Sequence, residues 1–258
     1  MSTLVMQPTH MAVRYLRALW RQPLYVVFQL VQPLIWLFLF GQLFKNIDRL
    51  PGFGGISYID YLAPGVLVMS ALLSNGWSGT MYIVDMERGV LDRFLSSPAR
   101  RSSFLIGQLG YWAALTVIQS VILIGLSMLA GARYPGGLLS VIGLVAAAVL
   151  LGTTMACLSN AMALRLRQQD TVIAANVLLV LPLCFVSTVF IPAALMPGWI
   201  QDVARFNPVN WAVDAGRQSL VAGVDWSIVL TRLGGLAALA LVFGWIAVRS
   251  YRAYQRSV

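Results

Sequence analysis

Apolar residues run through this chain in six long blocks separated by polar or charged stretches: Leu24–Phe44, Tyr58–Val84, Leu105–Ala130, Leu138–Leu164, Thr171–Ile191 and Ile228–Arg249. A bilayer core about 30 Å thick takes roughly 20 mostly apolar helical residues, so each block predicts a transmembrane span. The blocks are apolar on every face, unlike a surface helix with a single apolar stripe. Nor do they show the alternating ten-residue segments of a membrane barrel. The second block is the least regular, because Asp60 and the Pro64–Gly65 pair fall near its start. Helix breakers are tolerated in membrane helices where neighbours re-satisfy the backbone. The predicted fold is all-α and integral to the membrane, a single transmembrane domain over residues 1–258.

Composition agrees with that pattern. Of 258 residues 59% are hydrophobic and 10% charged, with a mean hydropathy of +0.78. Soluble domains carry about 25% charged residues, and this chain cannot build a comparable polar shell. An ordinary soluble enzyme, a disordered chain and a secreted disulfide scaffold are thereby excluded. The formal charge of +9 resembles a nucleic-acid signal until it is sorted by loop. Six spans put both termini on one side. That side, with the loops after spans 2 and 4, holds twelve arginines and four acidic residues, a net +8; the opposite side nets +1. By the positive-inside rule both termini are cytoplasmic. The surplus then needs no nucleic acid, and contact with anionic membrane lipids is its secondary effect.

Rare residues narrow the chemistry. Cys157 and Cys184 lie inside apolar blocks and read as small buried hydrophobes. His10 has no Cys or His near it, which argues against a metal site. Lys45, the single lysine, sits between Phe44 and Asn46, so the Gly-Lys-Ser/Thr of a P-loop is missing. ATP that drives this protein is expected on another polypeptide, and this chain is expected to bind no cofactor and to have no ATPase site of its own. Residues 1–22 lack an apolar core ahead of the first block, so the first span is expected to be kept as an anchor. Ionisable groups in the blocks, Asp60 and Arg232, lie near ends. An ion-coupled secondary carrier, the main alternative, places a carboxylate or histidine at membrane depth. Its absence points instead to an apolar or amphipathic cargo. Intramembrane hydrolysis would want a Ser–His pair or paired aspartates at depth, and neither is visible. Ser70, Ser74, Asn75, Asn160 and Asn176 are the polar groups at depth, read first as glue between helices.

Three connecting segments have structure of their own. In residues 9–22, Met11, Tyr15, Ala18 and Leu19 share one helical face and Arg14, Arg17 and Arg21 take the rest, with Tyr15 and Trp20 suited to the headgroup layer. This is either an interfacial anchor or an elbow helix beside a partner subunit. In Asp85–Arg101, Met86, Val90 and Phe94 form an apolar stripe, Arg88 and Asp92 lie four apart, and Ser97–Pro98 reads as a cap with proline at the first helical position. The segment is a solvated basic loop or a docking element for a soluble partner. Pro192–Trp226 is too apolar for a solvated loop; Asn207–Pro208 reads as a helix start and Asp214–Arg217 as an i,i+3 ion pair. Two short helices dipping into the outer leaflet are expected there.

The order of these elements resembles the membrane subunit of an ABC-2-type exporter. Glu87-Arg88-Gly89-Val90-Leu91-Asp92-Arg93-Phe94-Leu95-Ser96-Ser97-Pro98-Ala99-Arg100-Arg101 is similar to that family's E-R-G-T-L-E-x-L-L-x-(S/T)-P-x-x-R segment, with Val90 in place of the usual small polar residue. Phe206–Arg217 is similar to its N-P-(L/F)-x-x-x-(V/I)-(D/E)-x-x-R segment, and Tyr61-Leu62-Ala63-Pro64-Gly65 also fits. The look is nearest to the daunorubicin-resistance type of drug exporter; polysaccharide exporters share the layout. The resemblance implies a bacterial plasma-membrane permease, as a homodimer or with a related permease, working with two copies of a separate ATPase that carries ATP and Mg. It implies that Glu87, Arg88, Gly89, Leu91, Arg93, Phe94, Ser97, Pro98, Arg100 and Arg101 dock on that ATPase. It also implies that spans 2 and 5 line the substrate path, where Met69, Leu73, Asn75, Trp77, Asn176 and Phe185 are the candidate wall residues.

Overall fold

A computed structural model describes residues 23–46, 57–89, 102–221 and 223–255. The expected elbow helix, with Arg14, Tyr15, Arg17, Trp20 and Arg21, lies outside the described residues. Regular elements among the described residues are all helical. Helix α1 covers Pro23–Ile35 and runs on through a π-helical turn, Trp36–Phe40, into Gly41–Leu43. The turn follows Pro33, which has no N–H to give the helical ladder. Then come α2 (Tyr58–Gly76), α3 (Ser78–Glu87), α4 (Ser102–Leu129), α5 (Gly137–Leu166), α6 (Gln169–Phe185), α7 (Gly198–Phe206), α8 (Pro208–Arg217) and α9 (Trp226–Gln255).

Among the described residues, three stretches are long and apolar enough to cross a membrane: Leu105–Leu129, Gly137–Leu166 and Trp226–Tyr254. Val27–Leu43 and Gln169–Phe185 are apolar but shorter. Two predicted spans are not continuous helices over their full predicted length. The second is not one helix, because it breaks at Trp77 into α2 and α3. The fifth ends at Phe185, six residues early, where Pro182 in the last turn gives way to irregular chain.

Helix α5 is the hub, with α2, α3, α4, α8 and α9 all packed on it. Its buried face is rich in small side chains, among them Ala147, Ala148, Gly152, Ala156 and Ala163. Lipid tails are as apolar as leucine, so helices in a bilayer gain little by hiding apolar surface from each other. Close van der Waals packing and interhelical hydrogen bonds hold them instead. Glycines mark close approaches: a Cβ on Gly152 would lie 2.6 Å from Asn75 Nδ2, and one on Gly65 would lie 2.7 Å from the Val189 carbonyl. Leucines and tryptophans such as Leu241 and Trp245 on α9, and Leu178 on α6, point outward. Exposed apolar side chains in such number suit a lipid surround or a second subunit. At one end of the bundle, Trp36, Phe40, Phe44 and Tyr58 pack in sequence with Phe190, ring centroids 4.8–5.7 Å apart.

Candidate functional site

The break between α2 and α3 falls in Asn75-Gly76-Trp77-Ser78-Gly79. Glycine costs a helix interior about 1 kcal/mol against alanine, so two of them within one turn weaken the ladder there. Side chains from two other helices satisfy the backbone groups at the break. The Gly76 carbonyl accepts from Ser159 Oγ and from Asn176 Nδ2, both at 2.6 Å, while Gly79 N donates to Ser159 Oγ at 3.0 Å. Gly79 has no alternative at this spot: a Cβ would stand 2.4 Å from the Ser159 carbonyl oxygen.

A closed ring of hydrogen bonds lies beside it. Ser78 Oγ donates to Asn160 Oδ1 (2.7 Å), Asn160 Nδ2 to Gln108 Oε1 (3.1 Å), and Gln108 Nε2 back to the Ser78 carbonyl (3.3 Å). One turn earlier, Asn75 Nδ2 donates to Thr116 Oγ1 at 2.8 Å, and Ser74 Oγ to Gln119 Oε1 at 3.1 Å. Gln119 in turn reaches Gln29 of α1. The polar groups at depth thus join α1, α2, α3, α4, α5 and α6 around one helix interruption. Asn160→Leu removes two members' partners from the ring at once. It is expected to destabilise the protein by about 1–2 kcal/mol, since single interhelical hydrogen bonds in membranes average well under 1 kcal/mol. Thermal unfolding in detergent checks this.

The predicted wall residues separate into two groups. Leu73 and Trp77 line a side-opening cleft of about 520 Å³ between α1, α2, α3 and α4. On their other side, with Asn176, they border a small recess against α6. Trp77, 48% exposed, is the ridge between the two spaces. Asn176 Oδ1 is buried and has no hydrogen-bond partner among the described residues. Phe185 is exposed at the end of α6, its ring 6.0 Å from that of Phe190. Met69 belongs to the main core and Asn75 is fully buried as a tie to α4, so within one chain neither faces the cleft.

The C-terminal end of α6, where Phe185 lies, is closed by α8. Asn207 caps α8 by accepting from Val209 N at 2.9 Å, with Pro208 at the first helical position, and its Nδ2 donates to the Leu183 and Val186 carbonyls, both at 2.7 Å. One asparagine therefore starts α8 and finishes α6. Arg217, at the far end of α8, donates to Thr188 Oγ1 at 2.8 Å and to the Thr188 carbonyl, and lies 3.8 Å over the Tyr61 ring. Tyr61 OH donates to the same carbonyl at 2.8 Å. The expected Asp214–Arg217 pair is corrected: Asp214 meets Arg232 of α9 at 3.1 Å. Arg217 instead turns toward Tyr61, where the ring face and two oxygens of Thr188 hold its planar fork. Burial raises the Asp214 carboxyl above the usual carboxylate range, against the pull of Arg232 and Arg217. Helix α7 carries Trp199, Val203 and Phe206 exposed on one face, as a helix lying in a leaflet does.

Of the expected docking residues, Glu87 and Arg88 are exposed where α3 ends, and Gly89 closes the helix at φ +65. Leu91, Arg93, Phe94, Ser97, Pro98, Arg100 and Arg101 lie outside the described residues. Sequence reading missed Gln108, Trp112, Thr116, Gln119 and Ser159. The first four recur at helical spacing on one face of α4, a polar stripe within an apolar helix that would have flagged them.

Comparison with known proteins covers most of this chain. The chain is 28% identical to the daunorubicin resistance ABC transporter permease protein DrrB1 of Streptomyces coeruleorubidus, over 89% of this chain and 80% of that one. It is 30% identical to the putative transport permease ycf38 of Porphyra purpurea, over 81% and 71% respectively. A probable doxorubicin resistance ABC transporter permease protein, DrrC of Mycobacterium tuberculosis, is 27% identical over 73% of this chain and 71% of its own. Residues 6–221 match the family described as ABC-2 type transporter, a stretch that holds the helix break, the cleft and the cap of α8 together. This multi-pass membrane protein therefore belongs to the ABC-2 type transporter family, as a permease.

Proposed function

We propose that this permease is the membrane subunit of an ATP-driven exporter, moving a hydrophobic or amphipathic molecule out of the cytoplasm or inner leaflet. The observation that carries the reading is the alignment, over most of the chain, with permeases named for daunorubicin and doxorubicin resistance. The cleft supports it, because a side-opening space with apolar walls and uncharged polar groups suits a molecule arriving from the bilayer. ATP and Mg belong to a separate ATPase, two copies of which serve two permease chains. Both termini face the cytoplasm of a bacterial plasma membrane. The ATPase docks on Glu87–Arg101, and Trp77 lies ten residues before Glu87, roughly 15 Å at helical rise. A tilt of α3 driven from its exposed end would therefore reach the cleft directly.

Reconstitution of the permease with and without its ATPase tests the reading. ATP-dependent efflux of a fluorescent anthracycline from vesicles is expected only with both. The double substitution Glu87→Ala, Arg93→Ala is expected to reduce co-purification of the ATPase at least about tenfold, the cost of losing two charged contacts at an interface. Membrane insertion is expected to be unchanged. Efflux by the permease alone, or undiminished co-purification, would count decisively against this function.

A further inference from the structure

Helix α9 turns one face out of the bundle. Leu236, Ala247, Tyr251 and Tyr254 are buried on its inner side. On the opposite side Leu241 and Trp245, 76% and 62% exposed, are followed by the exposed Arg249 and Arg252, at i, i+4, i+8 and i+11. Within roughly 16 Å of helical rise this face passes from leucine through tryptophan to arginine. The Arg249 guanidinium lies 5.6 Å from the centre of the Trp245 ring, so one charge is held over an aromatic surface. Helix α9 contains no acidic residue, and neither Arg249 nor Arg252 is in an ion pair among the described residues. The arginine that closes α5 is engaged elsewhere: Arg167 lies 4.8 Å over the Tyr254 ring, on the buried side of α9.

Whatever covers such a face must be apolar beside Leu241, lie against an indole at Trp245 and carry negative charge at Arg249 and Arg252. A soluble domain does not reach Leu241, three turns inside an apolar span. A second copy of this chain would bring the same arginines, with no acid of α9 between them, to a two-fold interface. An anionic phospholipid has the required order of acyl chain, glycerol and phosphate. Residues three apart on a helix have Cβ atoms about 5–6 Å apart, so one phosphate can take hydrogen bonds from both guanidinium forks. We infer that the outward face of α9 from Leu241 to Arg252 seats an anionic phospholipid, with its phosphate on Arg249 and Arg252 and an acyl chain along Trp245 and Leu241. A charge surplus spread over loops attracts such lipids diffusely, whereas two arginines on one stripe fix the headgroup. The inference needs only that the chain spans a membrane, and not the exporter reading.

The test is native mass spectrometry of the full chain, without ATPase or nucleotide, in a neutral detergent holding equal amounts of phosphatidylglycerol and phosphatidylcholine. Wild-type adducts are expected to favour phosphatidylglycerol at least about tenfold, since each arginine near an anionic headgroup contributes roughly fivefold. In the double variant Arg249→Gln, Arg252→Gln that preference is expected to fall about tenfold. In Trp245→Leu it is expected to fall about 2–5-fold, the share of an exposed cation–π contact. All three side chains are exposed, and melting curves in phosphatidylcholine alone check that each variant is folded. The pair Arg88→Gln, Arg165→Gln removes the same charge from exposed positions at the same end of the bundle, and is expected to change the preference less than twofold. Equal binding of the two lipids by the wild type overturns the inference, whatever the variants do. So does an undiminished preference in either variant, or an equal loss in the control pair, which would mark diffuse attraction. If Arg249→Gln, Arg252→Gln keeps its lipid preference and loses the ATPase, the stripe is a protein-docking face and the inference falls. Failure of ATP-driven efflux would leave the lipid adducts unaltered, so this proposal and the exporter reading fail separately.

Discussion

Gly79→Ala is expected to lower the melting temperature of the purified permease by about 10 °C, from a loss of roughly 3 kcal/mol at the upper end of overpacking effects. Alanine is normally the better helix former by about 1 kcal/mol, so propensity alone predicts the opposite sign. Sterics decide the matter. The new Cβ would stand 2.4 Å from the Ser159 carbonyl oxygen and 2.6 Å from its Oγ. The first of these is backbone in the middle of the hub helix and cannot swing aside. Separation of α3 from α5 would also stretch the Gly79 N to Ser159 Oγ bond and disturb the serine that serves the Gly76 carbonyl. Gly76→Ala is the control, three residues away in the same motif. There the Cβ would meet Met155 Cε at 3.8 Å and Asn176 at 3.9 Å, ordinary contacts, and stability is expected to be unchanged or slightly higher. Melting curves of the two variants in one detergent settle it: equal curves would remove the claim that the break is held by backbone proximity.

Arg217→Met is expected to cost roughly 2–4 kcal/mol and to loosen the chain between α6 and α7. The guanidinium holds two oxygens of Thr188 and covers the Tyr61 ring, joining α8, the irregular segment and the start of α2. Each hydrogen bond to a charged group contributes about 1.5–3 kcal/mol, and methionine recovers part of this by removing the cost of burying a charge. Arg217→Lys keeps the charge but not the planar fork, and is expected to recover less than half of the loss. Asp214→Asn disrupts only the partly exposed pair with Arg232, for which about 1 kcal/mol or less is expected. Hydrogen exchange over residues 186–192 is the discriminating readout. Protection there should fall in Arg217→Met and persist in Asp214→Asn; the reverse order would assign the closure to the ion pair.

The two variants concern opposite faces of one design. A membrane helix that is interrupted, or that ends inside the bundle, exposes backbone groups that lipid cannot satisfy. Ser159 and Asn176 answer that at the break in α2–α3, and Asn207 answers it at the end of α6. All three act across sequence separations of 21 or more. The interruption sets Trp77 outward between two spaces, so the side chains that repair the backbone also fix the wall of the cleft.

What the amino-acid sequence determined by itself was everything that depends on local composition. Apolar block length, the small share of charge and the missing P-loop lysine are properties of neighbouring residues, and they led to an all-helical membrane permease. The Asn207–Pro208 start of α8 was equally legible, because a cap is chosen within one helical turn. The partner of Arg217 was not. Spacing alone offered Asp214 three residues away, and only the fold brought Tyr61 and Thr188 within reach. The break at Trp77 stood in the sequence as two glycines, a weak sign by itself, since glycine is common in membrane helices. Its meaning came from Ser159, eighty residues later, entering the space that the absent side chains left open. Tertiary structure decided these points because a buried polar group is satisfied by whatever lies nearest in space, and chain order does not set that distance.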